Sequence, residues 1–346
     1  MGAIAITIIT DLNRNSAAVK GIDQSNLPVY QQSWWVEIAR GSARFFEAKV
    51  FDDNVVVGSL PYVVRRRTRL DIPWGISPYW SSFGGPVVSQ ALNDKEKAAV
   101  LHRLIAQLPR KIPLHFICAP KAHDAGLIRQ VFVNAGFAHS RRITYSQPPE
   151  DADAVGRLNA KHRSHIRSAD RILEVLEIGA GEFIDFYEAN LKAAGLSSWS
   201  PLEVAQKLIA KGQEGDAPQL RVVAARKRKA GSPYEAAIAC AWDNERYYLW
   251  MTTRRRPVGG ASDDKPHPDA IKLLIVKAMQ HAGSLGLIFD IDGFTQGSEN
   301  LYTQILKIPN TEFRDVFERT TGLTRWLDVC RPKIKRAAAF LGLLGR

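Results

Sequence analysis

Phe45-Phe46-Glu47-Ala48-Lys49-Val50-Phe51, Asp52-Asp53-Asn54 and the run from Val55 to Val64 read as a strand, a polar turn and a second strand. A helix-like stretch, Asp94 to Gln107, follows, then apolar Leu114 to Cys118 and helix-like Asp124 to Asn134. About 170 residues later the chain repeats itself. Leu220 to Ala225 precedes Ala236 to Trp242 and Tyr247 to Thr253; then come a helix over Asp269 to Ala282, apolar Leu287 to Ile291 and helix-like Ser298 to Ile308. The shared order β, β, α, β, α predicts a duplicated domain even though few letters match. The polar segment from Gln147-Pro148-Pro149-Glu150 to Asp153 supplies the cut. Expected units are therefore 1–150, 151–330 and a short C-terminal helix, 331–346.

With 346 residues there is chain enough for two cores, and 45% apolar residues with eight Trp exclude a disordered protein. Cys118, Cys240 and Cys330 are far apart, without metal-type spacing, so reduced thiols are expected. The opening Met1 to Thr10 alternates like a strand and lacks the basic start and cleavage site of a signal peptide, and no apolar run reaches 18 residues. A cytoplasmic location is the expectation. Lys and Arg outnumber Asp and Glu by 47 to 35, a net charge of +12 that favours anionic partners.

Ala160 to Arg171 would place Arg163, Arg167 and Arg171 on one helical stripe, where an anion or acidic side chains would relieve their repulsion. Ser200-Pro201-Leu202-Glu203 has the form of a capping box. Residues 331–346 begin with a basic cluster and carry Ile334, Ala337, Ala338, Leu341 and Leu344 at helical spacing, so that helix either packs on its own domain or touches an anionic membrane. His162 and His165 lack the companion ligands of a zinc site, and no metal is expected. Trp34-Trp35 either anchor a core or line a cleft.

The segment after Thr253 contains Arg256-Pro257-Val258-Gly259-Gly260-Ala261 and leads to a helix whose Ile271, Leu274, Ile275, Ala278 and Ala282 share one face. Strand, basic Gly-containing loop and helix N-terminus together make an anion site. This loop resembles the R/Q-x-x-G-x-G/A pattern of the GNAT acyltransferases. It departs from it through the inserted Ser262 to His267. Gly58-Ser59-Leu60-Pro61-Tyr62 with Ser82-Phe83-Gly84-Gly85-Pro86, the run Lys161-x-Arg163-x-x-Ile166-Arg167-x-Ala169, and Leu287 to Gly293 are similar to segments of the FemAB-like members of the tandem GNAT group.

That resemblance implies an α/β (α+β) protein of two tandem GNAT-like domains, each a mixed sheet flanked by helices. It implies acyl transfer from acyl-CoA, acetyl-CoA included, to an amine between the domains. The acceptor would be a small molecule or a cell-envelope or polysaccharide precursor. Trp250, Met251, Thr252, Arg256, Gly259, Gly260, Ala261 and Asp269 would then hold the cofactor, and Trp35, Tyr79, Phe83, Lys161, Arg163 and Arg167 the substrate. Asp290 or Asp292 would serve as base, and Tyr302 or Lys307 as acid. Against the family ending Y-x-K-x-G-F, the first copy keeps only Gly136-Phe137 and the second only Lys307. Two alternatives stay open: a Fem-type aminoacyl transferase using charged tRNA, and a binding protein with a decayed site.

Overall fold

The computed structural model describes residues 7–8, 21–67, 72–120, 124–151, 153–229, 231–256, 265–293 and 297–322. Its first half contains β1 (Thr7–Ile8), α1 (Ser33–Ala39), β2 (Arg44–Asp52), β3 (Val55–Arg67), β4 (Ile72–Ile76), β5 (Val87–Val88), α2 (Asp94–Ala106), β6 (Leu114–Ile117), α3 (Ala125–Asn134) and β7 (Ala138–Gln147). The second contains α4 (Ala160–Ile172), β8 (Leu173–Glu177), α5 (Ala180–Ala193), α6 (Leu202–Gly212), β9 (Leu220–Lys227), β10 (Tyr234–Trp242), β11 (Arg246–Arg254), α7 (Ala270–Ser284), β12 (Ile288–Asp290), a π-helical turn (Leu301–Ile305) and β13 (Asn310–Arg319).

Local chemistry accounts for several of these. Asp53 and Asn54 take φ of 45° and 65°, the left-handed pair that a two-residue hairpin between β2 and β3 requires. Asn93 and Glu96 close a reciprocal capping box on α2. At α6 the expected box is absent: Pro201 holds the N-cap position without a side-chain bond, because the helix begins at Leu202 and leaves Ser200 outside it.

The duplication is complete once β4 is counted, a strand whose Pro73 and Gly75 hide it from sequence patterning. β2, β3, β4, α2, β6, α3 and β7 then match β9, β10, β11, α7, β12, the π-turn and β13, each pair roughly 175 positions apart. Pairings match too: antiparallel β2–β3–β4 with parallel β4–β6, against antiparallel β9–β10–β11 with parallel β11–β12.

The two copies share one sheet, in the order β1-β2-β3-β4-β6-β13-β7-β12-β11-β10-β9-β8. Each copy gives its last strand to the other. β13 pairs with β6 of the first copy, β7 pairs with β12 of the second, and the two exchanged strands pair with each other from Asn310↔Ser146 to Glu318↔Ala138. The sheet therefore runs across the cut expected near residue 150.

β10 shows why the second copy is buried on both faces: Ala236, Ile238 and Cys240 meet the α7 side, and Ala237, Ala239 and Ala241 meet a cluster that includes residues of α1, α5 and α6. Burial pushes the thiols of Cys118 and Cys240 up to about 12, so both behave as small apolar groups.

Candidate active site

β11 and β12 run side by side over Arg246↔Ile288, Tyr247↔Phe289 and Tyr248↔Asp290 only. β11 continues to Arg254, whereas β12 stops and the chain turns away at Asp292, whose φ is 58°. Among the described residues no ladder joins the two beyond Tyr248↔Asp290, and this interruption in the sheet is a slot between them. Just there β11 is bulged: Ala239 pairs with Met251 and Ala241 with Tyr248, so Leu249 and Trp250 together oppose Cys240. A bulge takes a backbone amide out of the ladder, here at the edge of the slot. The corresponding β3–β4 pairing of the first copy shows no such shift from Val63↔Ile76 to Arg67↔Ile72.

A loop from the first copy closes one face of the slot. Trp80, itself at a φ of 59°, accepts a hydrogen bond on its carbonyl from Trp250 Nε1 (2.8 Å), and Ser82 Oγ donates to Asp292 Oδ2. Two residues of one loop therefore bridge the strand on one side of the slot to the turn on the other. Behind them lies a buried ionic network. Arg314 reaches Asp292 Oδ1 (2.8 Å) and both oxygens of Asp290 (3.2 Å each). Arg246 pairs with Asp290 (3.2 Å) and Glu312 (2.9 Å), Thr144 donates to Asp290 (2.5 Å), and Tyr30 OH donates to Asp292 Oδ2 (2.6 Å).

Three carboxylates and two guanidinium groups are packed together here in a medium that tolerates charge poorly. Asp292 shows the effect. Burial, with Asp290 beside it and despite the opposing pull of Arg314, raises its carboxyl to about 6, while Arg314 is held more firmly protonated.

Asp290 and Asp292 are thus brought together, but enclosed: their side chains are 0% and 1% exposed. Tyr302 is buried with the α7-side core, on the sheet face opposite the ionic network. Lys307 is exposed and follows Leu306, the C-cap of the π-turn, at a φ of 53°, with the next residue's amide bonded back to Tyr302. Of the expected substrate-lining aromatics, Trp35 and Phe83 are fully enclosed and Tyr79 is buried. Their rings build the wall behind the slot: Tyr30 lies edge-on to Trp35 and Phe83, with Tyr248 tilted against it.

Trp250 is partly buried against Trp35 and Trp80, Met251 is core and Thr252 is exposed. The Arg256 amide donates to Asn190 Oδ1 (2.9 Å), anchoring the end of the strand region to α5, while its side chain is exposed. Gly259, Gly260 and Ala261, and the helix expected over 331–346, lie outside the described residues.

α4 runs beside α7 in the same direction, since His165 meets Asp269 (3.8 Å) and Asp170 meets Lys277 (3.2 Å). The α4 N-terminus, with Lys161 and His162, therefore adjoins that of α7. Asp269, expected at the cofactor, bonds Lys272 (2.6 Å). Burial first, and then the neighbouring Lys272, His165 and Lys161 against the opposing pull of Asp269, lower the proton affinity of His162. Arg163 bonds the Gly156 carbonyl (3.3 Å) and Arg167 is exposed further along α4.

The first copy has no equivalent opening. Beyond Gly75↔Leu114 and Ile76↔His115, the Gly84 amide donates to the Ile117 carbonyl (2.8 Å), and a Cβ at Gly85 would stand 2.7 Å from Cys118 Sγ. The Phe-Gly-Gly-Pro loop occupies that space. Alongside it, a cavity of about 610 Å³ includes Asp23, Asp124, Asp243 and Glu245 in its lining, with Arg246 the one basic residue among the described lining residues.

Sequence patterning missed Ser82 as a polar member of this site, together with Tyr30, Arg246, Glu312 and Arg314. Nothing local distinguishes a strand arginine that pairs inside the fold from one in solvent.

No protein-family model matches the chain, and no curated protein matches it. Solved structures do. FemX aligns with a TM-score of 0.57 at 13% identity, over 86% of this chain and 93% of FemX. A conserved protein of unknown function from Bacteroides thetaiotaomicron aligns at 0.51 and 12% identity, over 83% and 89%. L-PGS from Bacillus licheniformis aligns at 0.50 and 9% identity, over 85% and 90%. The likeness is one of fold, and it agrees with the tandem GNAT-like architecture of the FemAB-like group expected from the sequence.

Proposed function

We propose that the protein is an N-acyltransferase whose second copy takes an acyl-CoA in the slot between β11 and β12 and passes the acyl group to an amine. The observation that carries this reading is the conjunction of a bulged, unpaired strand edge with a slot present in one copy and filled in the other. A thioester carbonyl seated against the bulge would meet backbone donors where negative charge develops during attack. The diphosphate would lie at the adjoining N-termini of α4 and α7, where Lys161 and Lys272 make the field positive. Arg256 is near enough along the chain to join them. Asp292, its carboxyl raised to about 6, is ionised at neutral pH yet takes a proton more readily than an ordinary carboxylate, the property asked of a base at the slot's edge. The first copy contributes the acceptor side through its 80–83 loop.

Calorimetric titration with acetyl-CoA and a longer acyl-CoA tests the donor. Micromolar binding is expected, weakened about tenfold or more in an Arg256→Glu, Lys161→Glu variant. No binding to either thioester would overturn the acyl-CoA reading. The second reading, aminoacyl transfer from a charged tRNA, is favoured by the basic exposed side of α4 and the net charge of +12. It predicts activity that vanishes on removal of RNA.

A further inference from the structure

We propose that Ser82 is the proton relay of this site, taking a proton from the acceptor's ammonium group while passing its own to Asp292, an assignment that rests on the acyl-transfer reading. Accessibility is the reason a relay is needed. Both Asp292 oxygens are occupied: Oδ1 by Arg314, Oδ2 by Tyr30 and Ser82. With its side chain 1% exposed, the carboxylate has no surface to offer a substrate. Tyr30 and Arg314 are buried as well, at 1% and 2%, whereas Ser82 is partly exposed. Among the described groups bonded to Asp292, Ser82 is thus the one left partly open to a ligand. Its position is set by rigid neighbours: the Trp80 carbonyl is pinned to Trp250 on β11, and the Gly84 amide to Ile117 on β6.

The chemistry balances without another reactant. An ammonium proton moves to Ser82 Oγ as the Ser82 proton moves to Asp292 Oδ2, leaving a free amine and a neutral carboxylic acid. The amine forms the N–C bond, the C–S bond breaks, and the departing thiolate takes the second nitrogen proton. Asp292 then returns its proton to solvent through Ser82. A carboxyl that titrates at about 6 can do both halves of this cycle at neutral pH.

Ser82→Ala, Ser82→Thr and the wild type decide the matter in two measurements. The first is a carbon-13 NMR titration of the Asp292 carboxyl, which reads the link without turnover. The alanine variant is expected to titrate at higher pH, because a donor to the charged carboxylate is gone, and the threonine variant close to the wild type. An unshifted Asp292 in Ser82→Ala would overturn the relay. The second is kinetic. Ser82→Ala is expected to lower kcat by about 100-fold and shift its pH profile, with acyl-CoA affinity unchanged and Thr restoring the rate. Unchanged kcat in a folded Ser82→Ala protein would also overturn it. A wild-type enzyme that transfers nothing would instead strike the acyl-transfer reading, with the titration still deciding whether Ser82 and Asp292 share a proton.

Discussion

Asp292 concentrates the residue-scale argument, because its raised carboxyl is also a statement about stability. Between the ordinary carboxyl value of 3.8 and about 6 the folded protein keeps a proton that the unfolded chain releases. Its contribution therefore favours the fold most at low pH and is lost as the pH rises through about 6. Urea unfolding of wild type and Asp292→Asn between pH 4 and 7 should show the gap between them changing by on the order of 2 kcal/mol, in the direction that favours the variant as pH rises. Arg314 makes the complementary case. Truncating it strands two buried carboxylates, so Arg314→Ala should cost about 3–5 kcal/mol in the same assay at neutral pH. Of these residues the sequence exposed Asp290 and Asp292, through their place after an apolar strand. It could not expose Arg314, because nothing local in β13 shows that this strand arginine folds back onto the Asp290 and Asp292 carboxylates.

Among the elements, the loop carrying Trp80, Ser82, Phe83, Gly84 and Gly85 matters most, since it fills the first copy's gap while closing one face of the second's. Gly85 permits this by close approach to Cys118. Gly85→Ala should lift the loop from β6, costing about 1–3 kcal/mol in thermal or urea unfolding. Ser82 would move with it, so kcat should fall alongside. The sequence marked this loop as aromatic-Gly-Gly-Pro, yet Trp35, Tyr79 and Phe83 looked like cleft residues. Aromatic character alone does not separate a wall from a surface, which is decided by what packs behind it. β4 escaped for a related reason: five residues containing Pro73 and Gly75 do not read as a strand until β3 and β6 are there to pair with it.

At the scale of the molecule, strand exchange makes the two copies interdependent. A fragment ending at residue 150 would expose the β6 edge that β13 covers and leave β7 without either neighbour. Residues 1–150 and 151–346 made separately should each lack a cooperative unfolding transition and aggregate through these edges. Co-expressed, they should assemble into a complex with the full chain's circular dichroism. A fragment of 1–150 that unfolds cooperatively on its own would refute this. The pairing of β6 with β13 also joins residues about 200 positions apart, so refolding in milliseconds to seconds is expected, rather than the microseconds of a helical bundle.

By itself the sequence determined the duplication, the order of most elements and the mixed α/β architecture, because hydrophobic periodicity and turn chemistry are local and each copy states them. It also pointed to the turn after β12 and the helix N-terminus after β11 as places for chemistry. Tertiary structure alone decided that the copies trade strands, that the slot is open only in the second, and that Ser82 and Tyr30 of one copy hold a carboxylate of the other. The reason is physical: a strand's pattern specifies which of its faces is buried, whereas which edge it pairs with depends on partners as far away as Phe116 is from Phe317, and which charge it neutralises there on how the intervening chain folds back.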